Sequence, residues 1–262
     1  MAEAAHRRVA AKLRSAIEAG VYGPGEALPT VEELATAHGV SKQTAHQAVQ
    51  ALETEGLVRI ARSQGSYVRE RPRERVTVRD RTVYRDELGY YFDHNAKGWR
   101  PVGTPVRSLG VPPAHIAQLL GVPQGEDVIV RDRAMGPAGS PLPLQLTTSY
   151  LPMSLATEIP AISAENTGKG GIYDRIEERY GPIAWEETVS ARLPTDTEMK
   201  ALGIPLTIPV LVVTRVAHAV RSDGQVIPVE VNETRMAAER FAVSYKIQRD
   251  ASAEWPQGGH SD

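Results

Sequence analysis

The segment that most constrains the fold runs from Leu28 to Val68. Apolar spacing and turn residues there predict a short helix opening at Thr30, a tight turn at Gly39, and a second helix opening at Ser41. Thr30-x-x-Glu33 has the form of a capping box, in which hydroxyl and carboxylate satisfy free N–H groups at a helix start. In the second helix Val40, Ala45, Ala48, Val49 and Leu52 form the inward stripe, leaving Lys42, Gln43, His46, Gln47 and Gln50 outward. Leu57–Ile60 and Ser66–Val68 read as two strands joined by a turn containing Arg62, Gln64 and Gly65. Before this, Val9, Leu13 and Ile17 mark one face of an N-terminal helix. Three helices and a basic hairpin make a winged helix-turn-helix, which sets its last helix into a DNA major groove.

The outer face of that helix has the chemistry of a base reader. Gln43 and Gln47 lie one turn apart and suit bidentate contacts to adenine, and Lys42 suits guanine or phosphate. Thr44 is placed for a phosphate or a thymine methyl, and His46 for a neutral hydrogen bond. Charge supports this placement. Residues 1–85 carry 14 Lys/Arg against 10 Asp/Glu, whereas the remainder carries 16 against 22. A basic third on an acidic remainder suits nucleic-acid contact at one end.

The other classes find little support. No apolar run approaches the length of a membrane span, and the N-terminus lacks the apolar core of a signal peptide. The chain has no cysteine, which fits a cytoplasmic protein. Its seven histidines show no metal-ligand spacing, Glu186 and Glu187 are consecutive and so diverge on a strand, and no Gly-x-Ser-x-Gly nucleophile motif occurs. No catalytic residue, metal or cofactor is expected.

Residues 69–87, rich in arginine with Pro72, read as a semi-extended linker. From Tyr90 the pattern is α+β. Strands are expected at Val102–Leu109, Asp127–Met135, Leu142–Leu151, Glu186–Leu193, Val210–Val220 and Val226–Thr234. Helices are expected at Pro113–Leu120, Gly171–Tyr180 and Thr195–Leu202, the first with Ile116, Leu119 and Leu120 inward. Hairpin-ordered strands with inserted helices predict an antiparallel sheet covered by helices. The tail from residue 250 is expected to be disordered.

Gly23-x-Gly25-x-x-Leu28-Pro29-Thr30, Glu33-Leu34-Ala35, Gly39-Val40-Ser41-x-x-Thr44, Leu52-Glu53-x-Glu55-Gly56-Leu57-Val58 and Gly65-Ser66-Tyr67-Val68 together resemble the DNA-binding domain of GntR-family transcription regulators. The resemblance implies that Thr30, Ser41, Lys42, Gln43, Thr44, His46, Gln47, Arg62, Gln64 and Gly65 face an operator. Two positions depart from the pattern. Glu32 stands where an arginine is usual, and Ser41-Lys-Gln-Thr-Ala-His46 replaces a more basic helix start. Both lower positive charge, so this operator is not expected to be the family's usual one.

Val128-x-x-Arg131-x-Arg133, Pro143 to Pro152, Ile172-Tyr173-x-x-Ile176-Glu177-Glu178-x-Tyr180-Gly181 and Pro209 to Arg215, with Ser222 to Glu230, resemble the effector domain of HutC-type members of that family, the UTRA domain, whose fold is like chorismate lyase. That resemblance implies a small ligand between sheet and helices. Arg131 and Arg133, two apart on a strand, point to one face and suit a shared carboxylate or phosphate. Thr147, Gly170, Gly171, Tyr173 and Glu230 complete the implied site. Gly171 stands where a ligand-touching serine is common, and Thr147 where sugar-phosphate binders carry glutamate, so an amino-sugar phosphate is not expected. The expectation is a homodimeric, ligand-responsive regulator, a repressor released from a palindromic operator. The alternative is a DNA-binding regulator with no small-molecule ligand.

The implied domains are residues 1–69 for DNA, 70–87 as linker, 88–249 for effector and dimerisation, and 250–262 as tail.

Overall fold

The computed structural model describes residues 5–61, 65–69, 75–78, 82–87, 89–164 and 167–253. Its first part contains α1 (Ala5–Glu18), α2 (Val31–His38), α3 (Lys42–Thr54), β1 (Val58–Ala61) and β2 (Gly65–Val68). The capping box at Thr30 forms with both of its bonds, and Gly39 closes α2 in the left-handed conformation at φ 61°. Ser41 caps α3 by accepting the Thr44 N–H. Val9 and Leu13 from α1, Leu34 from α2, and Ala48, Val49 and Leu52 from α3 share one core with Val58 and Val68 of the hairpin. Burying an aliphatic side chain of this size stabilises by roughly 1.5–3 kcal/mol, so this cluster holds the three helices together. Arg14 forks onto Glu55 at 2.6 and 2.8 Å, tying α1 to the end of α3.

The stretch expected to be a semi-extended linker contains strands. β3 (Arg75–Val78) pairs in parallel with a strand near the C-terminus, and β4 (Tyr84–Asp86) forms a hairpin with β5 (Gly89–Tyr91). Their partners lie far along the chain or across a glycine turn, which charge patterning does not reveal.

The remainder runs β6 (Arg100–Pro101), β7 (Val106–Gly110), α4 (Ala114–Leu120), β8 (Val128–Gly136), β9 (Gln145–Pro152), α5 (Met153–Glu158), α6 (Gly171–Tyr180), β10 (Ala184–Arg192), α7 (Asp196–Leu202), β11 (Val210–Val220), β12 (Val226–Ala237) and β13 (Phe241–Ser244), the partner of β3. Seven of these strands form one antiparallel sheet in the order β10-β11-β12-β9-β8-β6, with β7 also on β8. The fold is therefore α+β, a helical DNA-binding head followed by a helix-covered antiparallel sheet.

Strand alternation gives the sheet two distinct faces. On one, α4 and α7 pack over Val128, Tyr150, Val212, Val216 and Val231. On the other, α5 and α6 cover Ile129, Leu151 and Ala217, and Trp99 with Phe241 closes the far end. Leu119 does not face inward as expected. It is 40% exposed, because Ile116, Ala117 and Leu120 form the buried side of the short α4. The expected tail contains a short 3-10 turn at Ala251–Ala253 and otherwise lies outside the described residues.

Candidate functional site

The first candidate surface is built on the start of α3. Lys42, Gln43, His46 and Gln47 are all exposed, while Ala45, Ala48 and Val49 beneath them are buried. Burial of that small-residue stripe fixes the helix rotation and presents the polar side chains outward. Ser41 and Thr44 are linked through their hydroxyls at 2.8 Å, which orients both at the helix entrance. The Thr30 hydroxyl is engaged with Glu33, accepting its N–H at 3.3 Å and lying 2.9 Å from its carboxylate. Thr30 thus serves chiefly to set the start of α2. The backbone and side-chain hydrogen bonds of that cap hold the Glu33 carboxyl below its ordinary pKa.

Glu32, the unusual acid, lies 2.6 Å from Lys42. Both are more than two-thirds exposed, so the pair is worth at most about 1 kcal/mol and a phosphate can displace it. Gly65 is exposed at the start of β2 at φ 104°, and Arg59 rests over Tyr67 with 5.6 Å to the ring centroid. Arg62 and Gln64 lie outside the described residues.

The second candidate is a cavity of about 280 Å³ between the sheet and the elements covering it. Arg133, Thr147, Gly170, Gly171, Tyr173 and Glu230 all line it, although they come from β8, β9, β12 and α6. Register explains the convergence. Arg133 pairs with Thr147, Ser149 with Asn232, and Asn232 with Arg215, all on one face of the sheet. The start of α6 forms the facing wall. Gly170 precedes it at φ 84° and brings no side-chain cap, while the Gly171 N–H donates to the Gly168 carbonyl at 3.3 Å. Gly89 of the β4–β5 hairpin lies against Gly170; a Cβ there would sit 2.6 Å from the Gly170 carbonyl oxygen at φ 122°, so only glycine closes the cavity this way.

Arg131 is a correction. It shares the sheet face with Arg133, but its guanidinium donates to the carbonyls of Ile162 and Ala164 at 3.3 and 2.9 Å and does not line the cavity. Burial, with Arg133 and Arg107 nearby, pulls its pKa down. The second cation of the cavity is instead Arg215, which sequence reasoning passed over as a site residue. Its Nε donates to Glu187 at 2.8 Å, and its guanidinium carbon lies 3.2 Å from the Phe92 ring centroid. The signal was an arginine set within an apolar strand, Val212-Val213-Thr214-Arg215-Val216.

Tyr90, Phe92 and Trp99 are among the other lining residues that were not anticipated. Tyr90, Phe92 and Tyr173 surround Trp185 with ring centroids 5.4–5.6 Å apart. The Tyr90 hydroxyl donates to Glu177 at 2.5 Å, and that bond, with burial, pushes its pKa up to about 12. Tyr173 donates to Glu230, and burial followed by the carboxylate's charge raises its pKa further. Arg133 donates through Nη2 to Ser149 at 2.9 Å, whereas its buried Nε has no hydrogen-bond partner among the described residues. Among those residues no cluster of metal-ligating side chains occurs, and no helix is long and apolar enough to cross a membrane.

A helix-turn-helix head with an exposed polar face on α3, followed by a sheet domain with a small-molecule-sized cleft, has the form of a DNA-binding transcriptional regulator. Comparison with known proteins places it further. Residues 5–68 match the gntR family of bacterial regulatory proteins, and residues 103–242 match the UTRA domain. An uncharacterized HTH-type transcriptional regulator of Streptomyces coelicolor is 32% identical, with 94% of each chain covered. The HTH-type transcriptional repressor NagR of Bacillus subtilis is 26% identical over 79% of this chain and 81% of its own. The crystal structure of a GntR-family transcriptional regulator superposes with a TM-score of 0.65 at 28% identity, covering 94% of this chain and 98% of that one. The chain belongs to the GntR family and carries a UTRA domain, an arrangement that fits the HutC subfamily. It is a transcriptional regulator and not an enzyme.

Proposed function

We propose that this regulator is a homodimeric repressor of the cytoplasm, released from a palindromic operator when a small anionic effector fills the cavity between the sheet and α6. The observation that carries this reading is the cavity itself, where the register of β8 and β9 sets Arg133 beside Thr147 and both line it together with Glu230, Gly170 and Gly171 at the start of α6. An anion held between the Arg133 guanidinium and the N–H groups at the start of α6 meets a positive side chain and the positive end of a helix together. Arg215, already paired with Glu187, and the aromatic wall shape the rest of the ligand. Repression is supported by the name of the Bacillus subtilis relative.

In this reading residues 1–69 contact DNA through Ser41, Lys42, Gln43, Thr44, His46, Gln47, Arg62, Gln64 and Gly65, with Thr30 positioning α2. Residues 88–249 sense the ligand, and the 70–87 connection transmits its effect. The β4–β5 hairpin ends that connection and also supplies cavity wall, so ligand contact with Gly89 to Phe92 acts directly on the segment leading to the DNA-binding head.

The test is selection of bound genomic fragments to define the operator, followed by titration of small anions drawn from the chemistry of neighbouring gene products. An effector is expected to raise Tm and weaken operator binding about 5–150-fold, the usual range of allosteric coupling. Arg133→Ala is expected to bind operator normally and to lose that response. If no small molecule moves Tm or operator affinity, the alternative of a ligand-independent DNA-binding regulator holds instead.

A further inference from the structure

We propose that β10 of one copy pairs antiparallel with β10 of a second copy about Val189, joining the two seven-stranded sheets into one. This rests on the homodimer reading above and adds the surface and the register. β10 is the terminal strand of the sheet, and its outer edge meets no strand among the described residues. It is nine residues long, nearly all exposed, and pairs with β11 from Ala184 to Arg192 without a bulge. Val189 is 46% exposed and Leu193, just beyond the strand, 61%. Proteins normally blunt such an edge with lysine, proline, a bulge or a covering element. From Thr188 to Ala191 this strand has no charge and no proline.

Its sequence is instead self-complementary. A two-fold axis perpendicular to the sheet at Val189 sets Glu186 opposite Arg192, Thr188 opposite Ser190, and Trp185 opposite Leu193, each twice. Arg192 grips Glu198 yet keeps 43% of its side chain exposed, so it can face a partner's carboxylate. Other registers lose this match. Centring on Thr188 or Ser190 places both Glu186 and Arg192 opposite uncharged residues, and centring on Glu187 opposes two carboxylates. The opposite edge strand, β7, offers no equivalent. It is shorter, its one charge is Arg107, and Arg107 already lies beside Arg131 across the β7–β8 pair.

The chain contains no cysteine, so one introduced thiol reports the register cleanly. At the centre of an antiparallel pair the two Cα atoms are about 4.5–5.5 Å apart, within disulfide reach. Full-length Val189→Cys is expected to form a disulfide-linked dimer on mild oxidation. Val226→Cys, 61% exposed but off this edge, is expected to cross-link at least tenfold less. Glu186→Arg, which faces Arg192 of the second copy, is expected to raise the dimer dissociation constant at least tenfold with an unchanged circular dichroism spectrum. If Val189→Cys stays unlinked in a solution that light scattering shows to be dimeric, the dimer forms elsewhere and this pairing is wrong. If the unaltered chain is monomeric by light scattering at that concentration, the homodimer reading fails together with it.

Discussion

The reading helix and the cavity treat polar side chains in opposite ways. On α3, Gln43, His46 and Gln47 stand in solvent above a stripe of alanine and valine. In the sheet domain Glu230 and Asn232 are buried, and Glu230 accepts from Tyr173 while Asn232 donates to Ser149. The lesson concerns what each group is built to lose. An exposed side chain keeps its water in the folded chain and contributes little to folding; in the proposed reading it gives that water up to DNA. A buried one has already lost water and must be satisfied inside the protein, so folding and ligand response draw on the same bonds.

The largest expected effect lies on the buried side, in the ion-pair network over the opposite sheet face. Glu198 has a side chain only 4% exposed and is gripped by both Arg192 Nη atoms at 2.7 Å. Burial alone would raise its pKa, but the Arg192 bonds and the Thr195 cap outweigh that and hold it at about 2. A carboxyl depressed in the folded state contributes stability above its unfolded pKa, near 4.5, and loses it as pH falls toward 2. Glu198→Gln is expected to lose roughly 2–4 kcal/mol at neutral pH. Its stability is also expected to vary less than the wild type's between pH 5 and pH 2, as read by urea melts across about that range. A Glu198→Gln melt identical to wild type at neutral pH would break the comparison at its strongest point.

On the exposed side the prediction reverses. Gln47→Ala is expected to weaken operator binding by ~1–3 kcal/mol, the worth of a bidentate base contact. Its Tm should stay within about a degree of wild type, since exposed substitutions change stability by less than ~0.5 kcal/mol. Gel shift and thermal melting together check both halves. The smallest effect is expected at the Glu32–Lys42 pair. Lys42→Ala should lower the salt dependence of binding by about one phosphate contact. Glu32→Gln should strengthen binding slightly by freeing the lysine, which a salt titration of operator affinity measures.

How much of this was legible in the chain depended on how local each feature is. Thr30 with Glu33, Gly39 at its turn, and Ser41 with Thr44 close their hydrogen bonds within four residues, so residue type and spacing suffice to find them. Strands β8, β9, β11 and β12 were visible from composition and turns. β3 was not, because its partner β13 lies more than 160 residues away and neither strand is self-evident alone. The cavity was legible in part. Strand alternation put Arg131 and Arg133 on one face but gave no sign that the carbonyls of Ile162 and Ala164 cover Arg131.

The sequence by itself determined the helix-turn-helix head, its caps, its outward polar face, and an acidic α+β partner domain, because each follows from side-chain type at short spacing. Only the tertiary structure decided which arginines reach the cavity, that the β4–β5 hairpin walls it, and that the outer edge of β10 meets no strand among the described residues. Those outcomes depend on the register of strands distant in sequence and on where covering loops land. Hydrogen-bond pairing between far segments is settled by the packing of the whole sheet, not by any one stretch of residues.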